Sequence, residues 1–198
     1  MDAIENLLTR RSTRKFKDKE LPREALEKIV ECGKASPTGM NKQQRLFTVL
    51  TKEEDIQKLA KAIGESLELQ NYRIYDAKAL IIVTVPKDLR LGDADTSTAM
   101  ENMYLASHAL GIGAVWINQL RENNSEVVRK VLNEFKIPED HISYGMLALG
   151  YSDETLKEKK ELKKLYLYRR KKSRTIIMCS SFYLSLATLS SFASISSK

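Results

Sequence analysis

The sequence has little cysteine and little histidine, which argues against two common ways of building a small protein. Its 198 residues include two cysteines and two histidines. Cys32 and Cys179 lie far apart, so they do not form the dense pattern of a disulfide scaffold. His108 and His141 stand outside metal-ligand spacings such as H-E-x-x-H. We therefore expect neither a disulfide framework nor a zinc site.

Several nucleotide-binding and hydrolase motifs are also missing. The sequence contains no G-x-S-x-G of a serine hydrolase and no Walker A sequence for NTP binding. Gly111-Ile112-Gly113 lacks the third glycine of a dinucleotide fingerprint and precedes a predicted strand rather than a helix. Asp2 and Glu5 interrupt any apolar stretch after Met1, so a secretory leader is not indicated. Together with the scarce cysteine, this predicts a cytoplasmic protein.

Positive charge is concentrated in one stretch of the chain. The whole chain carries +7, whereas Lys157 to Arg174 carries +8 from ten Lys or Arg and two acidic residues, so the rest carries −1. A nucleic-acid groove would spread its basic residues over several elements, so we expect no nucleic-acid partner for the fold. A non-enzymatic protein that binds nucleic acid or another anionic surface through this stretch is the alternative.

Hydrophobic periodicity predicts alternating helices and strands, and the chain length favours a single domain. Pro22 and Gly33 mark the ends of one helix, and Thr51 with Glu54 forms a capping box ahead of the next. The run Leu80 to Val85 predicts a central strand that is covered on both faces. The predicted helices span 2–9, 22–33, 51–64, 97–110 and 125–137, and the predicted strands span 46–50, 80–85, 114–117 and 144–149. The helix over 97–110 is rich in small residues, which places it in the middle of the protein.

The C-terminal segment differs in character from the rest of the chain. Residues 175–197 contain no charged residue and follow the basic stretch, which is the outline of a membrane anchor. Many serines dilute the segment, whereas spanning segments are predominantly apolar. We predict a folded domain over 1–170 and an atypical, weakly structured or cloning-derived tail over 171–198, with a membrane anchor as the alternative.

Three features suit an anionic cofactor. Arg10 and Arg14 are spaced one helical turn apart near the end of a predicted helix, so their guanidinium groups would point the same way and grip a phosphate. The segment Ser36 to Asn41 is a dense cluster of turn-forming residues, and the strand near 114–117 ends in Trp116 to Gln119. The alternative interpretation of the arginines is a solvated surface patch.

The order of several motifs gives a family resemblance. Arg10-Arg11-Ser12-Thr13-Arg14-Lys15-Phe16 resembles the R-R-S-x-R-x-F opening of the nitroreductase family of FMN-dependent oxidoreductases. The stretch 35–44 is similar to the family's S-P-S-x-x-N-x-Q-P-W loop. Further matches follow in register at 99–106, 110–113, 116–117 and 149–151. The resemblance covers residues 3 to about 155.

This resemblance implies both a fold and a chemistry. The implied fold is α+β, with a central mixed or antiparallel sheet flanked by helices, in an intertwined homodimer that holds one FMN at each of two subunit boundaries. The implied chemistry belongs to the flavin, which would pass electrons from NADH or NADPH to a small acceptor such as a nitroaromatic or a quinone in a ping-pong reaction. No protein nucleophile would be required. Dehalogenating or flavin-modifying relatives are the alternative.

The resemblance also assigns flavin contacts to four places in the sequence. One subunit would supply Arg10, Arg11, Ser12 and Arg14, and the other would supply Pro37, Thr38, Gly39 and Asn41. Arg73, with Gln70 or Asn71 beside it, would face the flavin pyrimidine, while Asn118 and Gln119 would approach N5. Two departures stand out: Gln44-Arg45 replaces the Pro-Trp of the family loop, and the stretch 157–172 offers too many basic residues to align with a phosphate-binding pair.

Overall fold

Four strands and five helices make up Met1–Lys157, the first of the two compact units into which the chain divides. The helices are α1 (Ala3–Thr9), α2 (Arg23–Lys34), α3 (Glu53–Ser66), α4 (Gly92–Ala109) and α5 (Glu126–Glu134), with a 3₁₀ turn at Gly39–Asn41. The strands are β1 (Leu46–Leu50), β2 (Ala79–Pro86), β3 (Gly113–Ile117) and β4 (His141–Gly150).

The computed structural model describes residues 1–155, 164–167 and 176–179. In the second unit, Glu158–Lys198, strand β5 (Lys164–Leu167) pairs antiparallel with β6 (Ile176–Cys179). Most of the basic stretch and of the uncharged tail lies outside the described residues, so the domain boundary at 170 and the nature of the tail stay predictions. Within the described ranges, no helix combines the length and the apolar character needed to cross a membrane.

The four strands of the first unit form one antiparallel sheet in the order β1-β2-β4-β3. Strand β2 lies inside the sheet, and every residue from Ala79 to Val85 is buried. Such burial explains the uninterrupted apolar sequence, because a strand covered on both faces has no solvent side to alternate with. The predicted α+β fold with a central strand at 80–85 is confirmed.

Each face of the sheet has its own layer of helices. Side chains alternate along a strand, so neighbouring residues of β2 enter different cores. Leu80 and Ile82 join the core that contains residues of α3 and α5, while Ile81 and Val83 join the one that contains residues of α2 and α4. Each of these side chains contributes roughly 1.5–3 kcal/mol by leaving water. The sheet is therefore the middle layer of three.

Several helix boundaries differ from the sequence-based predictions, and the differences at α4 and α2 have structural reasons. Helix α4 begins at Gly92 rather than at 97, because the polar first turn with Asp93 and Asp95 is helical although it lacks an apolar pattern. Helix α2 runs one residue past Gly33, whose role is spatial: a Cβ there would lie 2.6 Å from Cγ of Met103 in α4. Gly33 therefore permits close packing of the two helices and does not end α2.

The predicted capping box at the start of α3 is wrong. Lys52 occupies the N-cap position, and no side chain caps the helix there. Glu54 forms an exposed ion pair of 3.8 Å with Lys52 instead of reaching back to Thr51. The acidic residues of the first turn still favour this helix end, because they face the positive end of the helix dipole.

The chain segment 10–17, which follows α1, lies along the outer edge of β3 and the end of β4. The amide of Thr13 donates to the carbonyl oxygen of Ala114 at 2.8 Å, and the amide of Lys17 donates to that of Tyr151 at 2.8 Å. Thr13 is buried against Gly113, where a Cβ would lie 2.8 Å from Cγ2 of Thr13. The close approach at Gly113 therefore holds this segment against the sheet.

We expect Gly113→Ala to destabilise the protein by about 1–3 kcal/mol, because the added methyl group overpacks the contact with Thr13. The measurement is the free energy of unfolding from urea denaturation followed by circular dichroism. Gly111→Asn is the control, since a Cβ at Gly111 meets nothing within 4 Å and asparagine tolerates its φ of +71°. Equal stability of the two variants would show that the approach of Thr13 to β3 is not a constraint.

Candidate functional site

Helix α4 supports two of the segments that the sequence singled out, the stretch that follows α1 and loop 36–41. Its residues at successive spacings of three, Asp95, Thr98, Glu101 and Tyr104, all contact loops that come from elsewhere in the chain. Residues three apart are neighbours on a helix surface, but each step of three turns by about 60°, so this row winds around α4 and Asp95 and Tyr104 lie on opposite sides of it. The N-terminal half of the row contacts loop 36–41, and the C-terminal half contacts the segment that follows α1.

Arg10 is held over the C-terminal half of α4. Its guanidinium carbon lies 4.1 Å from the centre of the Tyr104 ring, and its Nε lies 4.0 Å from Oε1 of Glu101. The ring face attracts the cation, and the carboxylate balances part of its charge. Arg10 is thus oriented by two side chains of one helix, and it is half-buried rather than free in solvent.

Arg11 and Ser12 present the polar atoms best suited to bind an anion. Nη1 of Arg11 is buried and has no hydrogen-bond partner among the described residues. A buried guanidinium nitrogen without a partner costs free energy, which a bound anion would recover. The hydroxyl of Tyr104 donates to Oγ of Ser12 at 2.7 Å, which fixes the position of the serine beside Arg11.

Arg14 does not share a helical face with Arg10, so that prediction is wrong. Helix α1 ends at Thr9, and the residues that follow it are extended along β3. The backbone amides of Arg14 and Lys15 donate to Oε1 of Glu154, while Arg14 as a whole is exposed. The geometry therefore presents the arginines in sequence along a sheet edge rather than stacked on one turn.

Loop 36–41 is tied to the N-terminal half of α4. The amide of Gly39 donates to Oδ1 of Asp95 at 2.8 Å, and Oγ1 of Thr98 donates to the carbonyl oxygen of Pro37 at 3.1 Å. Thr38 closes the turn, because its carbonyl oxygen accepts from the amide of Asn41 at 3.0 Å. The exposed side of the loop carries Pro37, Met40 and Asn41.

Asn118 and Gln119 are exposed in the turn after β3. Nε1 of Trp116 donates to Oδ1 of Asn118 at 2.9 Å, so the asparagine amide group keeps its NH₂ available as a donor. Gly145 of β4 makes room for this tryptophan, since a Cβ there would lie 2.6 Å from Nε1 of Trp116.

The segment around Arg73 has contacts of its own. Gln70 and Asn71 are exposed and line an open cavity of about 560 Å³ beside α3. Arg73 forms an ion pair with Asp76. Backbone φ is positive at Asn71 (+53°) and at Asp76 (+53°), which makes this an unusual turn for non-glycine residues. Oδ1 of Asp76 also accepts from Nε2 of Gln57 at 3.3 Å, so the hydrogen bonds of this segment join it to α3 rather than to Arg10 or Arg11.

The family model for the nitroreductase family matches residues 7–70 and 65–151. A protein of Methanothermobacter thermautotrophicus, whose name ascribes NADH dehydrogenase/NAD(P)H nitroreductase activity to it, is 33% identical over 161 residues, covering 78% of this chain and 79% of that protein. The NADPH-flavin oxidoreductase of Vibrio harveyi is 26% identical over 172 residues, covering 81% of this chain and 70% of that protein.

Solved structures agree with the sequence comparisons. The Bacteroides fragilis nitroreductase, whose crystal structure contains bound FMN, superposes with a TM-score of 0.75 at 30% identity, covering 82% of this chain and 96% of that one. An FMN-dependent nitroreductase of Clostridium difficile R20291 gives a TM-score of 0.67 at 26% identity, covering 80% of this chain and 92% of that one. The chain belongs to the nitroreductase family, and the family resemblance of its motifs is confirmed.

The supporting residues of α4 were not among the site residues that the sequence analysis singled out. Asp95, Thr98, Glu101 and Tyr104 belong to a helix that the sequence analysis uses for its small residues and for the family match at 99–106, without assigning contacts to its polar residues. Polar residues at spacings of three on an otherwise interior helix could have indicated these contacts, because buried polar groups usually have a hydrogen-bond partner. The buried carboxylate of Asp95 is an example, since Oδ1 accepts from Gly39, although Oδ2 has no partner among the described residues.

We expect Tyr104→Phe to lower the free energy of unfolding by about 0.5–1.5 kcal/mol, because it deletes the hydrogen bond to Ser12 and keeps the ring beneath Arg10. Tyr104→Leu should cost more, since it also removes the ring face. Urea denaturation of both variants provides the measurement, with Tyr75→Phe, at a ring 40% exposed, as the control. A Tyr104→Phe variant as stable as this control would contradict the assignment.

Proposed function

We propose that this protein is an FMN-dependent oxidoreductase that passes electrons from NADH or NADPH to a small acceptor, such as a nitroaromatic or a quinone. The observation that carries the proposal is the buried, unpartnered Nη1 of Arg11 in the segment that holds the family's opening motif. An FMN phosphate supplies the charged oxygen acceptors that this nitrogen lacks. Family membership supports the choice of FMN and of a nicotinamide donor.

FMN, when bound, supplies the chemistry of taking a hydride from the nicotinamide and of passing the electrons to an acceptor that uses the same face afterwards. The contribution of the protein is to bind, orient and provide a positive field. Arg14 and Arg73 supply positive charge for the pyrimidine edge of the flavin, with Gln70 or Asn71 as polar neighbours. Asn118 and Gln119 supply donors near N5, since the amide NH₂ of Asn118 remains available.

The remaining contacts divide between two segments. Arg10, Arg11 and Ser12 hold the phosphate side, with Arg10 oriented by Glu101 and Tyr104. Pro37, Thr38, Gly39 and Asn41 cover the ring from loop 36–41, whose backbone is tied to α4. We propose that these two segments meet at one flavin from different subunits.

An exposed apolar helix supports a homodimer. Met1, Ile4 and Leu8 are 65%, 65% and 67% exposed, and α1 contains no buried residue. A helix this short gains most of its stability from packing, so an apolar side left in water is costly. A second copy of the chain would cover this side in a symmetric interface. We further propose a cytoplasmic location, in keeping with the free thiol of Cys32.

The reaction is tested by loading the protein with FMN and adding NADH or NADPH without oxygen. Loss of the oxidised flavin absorbance is the expected result, followed by its return when a nitroaromatic or a quinone is added. A panel with halogenated acceptors separates the reductase from a dehalogenating relative. A protein that stays colourless during FMN titration contradicts the proposed function.

We expect Arg11→Ala to weaken FMN binding by about 1.5–3 kcal/mol, the usual contribution of a hydrogen bond to a charged group. Binding of riboflavin, which lacks the phosphate, should hardly change. Both affinities follow from quenching of flavin fluorescence. Arg23→Ala removes an exposed arginine that is paired with Glu27 and serves as the control. Equal losses for FMN and riboflavin would move Arg11 away from the phosphate.

Subunit mixing tests the composite site. Arg11→Ala and Asn41→Ala lie in segments assigned to different subunits, so a mixed dimer keeps one site with neither change. Random exchange should restore roughly a quarter of the wild-type activity, assayed at an FMN concentration at which each variant alone is inactive. Mixing Arg11→Ala with Arg14→Ala is the control, because both changes lie in the same segment and no site escapes. Exchange without recovery in the first mixture would place both segments at one flavin within a single subunit.

A further inference from the structure

Loop 36–41 has a backbone that needs support. Met40 and Asn41 adopt positive φ values of +53° and +54°, and Gln43, just beyond the loop, adopts +52°. Non-glycine residues pay of order 1 kcal/mol or more for this conformation, so it persists only where surrounding contacts determine it. The residues that impose the conformation are therefore of interest in their own right.

Arg45 is bonded to the chain on the N-terminal side of the loop. Its Nη2 donates to the carbonyl oxygens of Lys34 and Ser36 at 3.2 and 3.0 Å, and its Nη1 donates to Oγ of Ser36 and to the carbonyl oxygen of Asp95 at 3.2 Å. One planar guanidinium group thus joins the end of α2, the start of the loop and the first turns of α4. A lysine ammonium lacks this fork geometry.

Asp95 holds the middle of the same loop. Its carboxylate, 3% exposed, accepts from the amide of Gly39 through Oδ1. Burial lowers the pKa of Arg45, and the negative charge of Asp95 acts in the opposite direction by raising it. Gly39 also packs on Leu91, where a Cβ would lie 2.5 Å from Cδ1. A methyl group at 39 would have to displace the Leu91 side chain, so the loop lies close to the start of α4.

We propose that Arg45 and Asp95 are positioning residues that form a clamp, holding loop 36–41 in the conformation that binds the flavin. The inference rests on the proposed function and deepens it. Arg45 stands where the family loop has tryptophan, so this chain uses hydrogen bonds at a position where that pattern has an aromatic ring. Neither side chain touches the reacting atoms; both act through the backbone of Ser36 to Gly39.

The clamp should change the affinity for FMN by changing the fraction of molecules in which loop 36–41 already has the binding conformation. If Arg45→Ala lowers that fraction to about one tenth, the apparent Kd rises about tenfold. Saturating FMN should then restore a kcat close to that of the wild type. Arg45→Lys keeps the charge and part of the bonding, so its Kd should fall between those of the wild type and Arg45→Ala.

The experiment has two readouts on the full-length chain. Fluorescence titration gives the Kd for FMN, and amide hydrogen exchange in the flavin-free protein gives the opening of residues 36–43. Arg45→Ala should raise both, whereas Arg23→Ala, at an exposed arginine, should change neither. Asp95→Ala should raise both as well, and Asp95→Asn should retain more affinity because its side-chain oxygen still accepts from Gly39.

Two results would overturn the clamp. One is an unchanged Kd and unchanged exchange in Arg45→Lys and Arg45→Ala, with circular dichroism showing folded protein. The other is a loss of global stability without faster exchange confined to 36–43, which would make Arg45 a general structural residue. If the wild type binds no FMN, the proposed function fails, and local exchange at 36–43 still decides whether Arg45 and Asp95 hold the loop.

Discussion

The structure depends on the burial of β2 and β4 on both faces. Ala79 to Val85 and Gly145 to Gly150 are buried throughout, so each side of the sheet must carry a layer of helices. The layer with α4 has to lie close to the sheet and to α2, which explains its small residues and the missing side chain of Gly33. Because α4 is interior on these sides, the segments of the candidate site pack beside its buried polar residues, at Asp95 near one end and at Tyr104 near the other.

The polar residues of α4 connect the core to the candidate site. Asp95, Thr98 and Tyr104 each have a hydrogen-bond partner outside the helix, which matters because an unpaired buried polar group costs about 1–3 kcal/mol. Their partners are the backbone of loop 36–41 and the hydroxyl of Ser12. Asp95 and Tyr104 are nine residues apart, which separates the two contact points by about 14 Å along the axis. The helix therefore sets the spacing between two segments distant in sequence.

Sequence patterns predicted the apolar elements well and the polar geometry poorly. Strand β1 lies at 46–50 as predicted, because Phe47, Thr48 and Val49 favour a strand whatever their partners. The start of α4 was missed because Asp93 and Asp95 belong to a helix turn that has no apolar repeat. The prediction that Arg10 and Arg14 share a helical face failed because α1 ends at Thr9, and the residues that follow are extended along the edge of β3. The identities of the site residues came from motif resemblance, since no local rule reports contacts between segments so far apart.

The two segments at the candidate site differ in the contacts that their polar groups make before a ligand binds. Loop 36–41 has its backbone held by Asp95, Thr98 and Arg45, so the cost of its positive φ values is met within the protein. Buried atoms without a partner among the described residues include Oδ2 of Asp95 and Nε of Arg45 beside this loop, and Nη1 of Arg11 on the other segment. An anion that pairs with Nη1 of Arg11 binds the folded state and not the unfolded one. It therefore stabilises the protein by RT ln(1 + [L]/Kd), where [L] is the concentration of free anion. One segment is thus prepared in advance, and the other has a binding atom whose cost of burial is recovered only by the ligand.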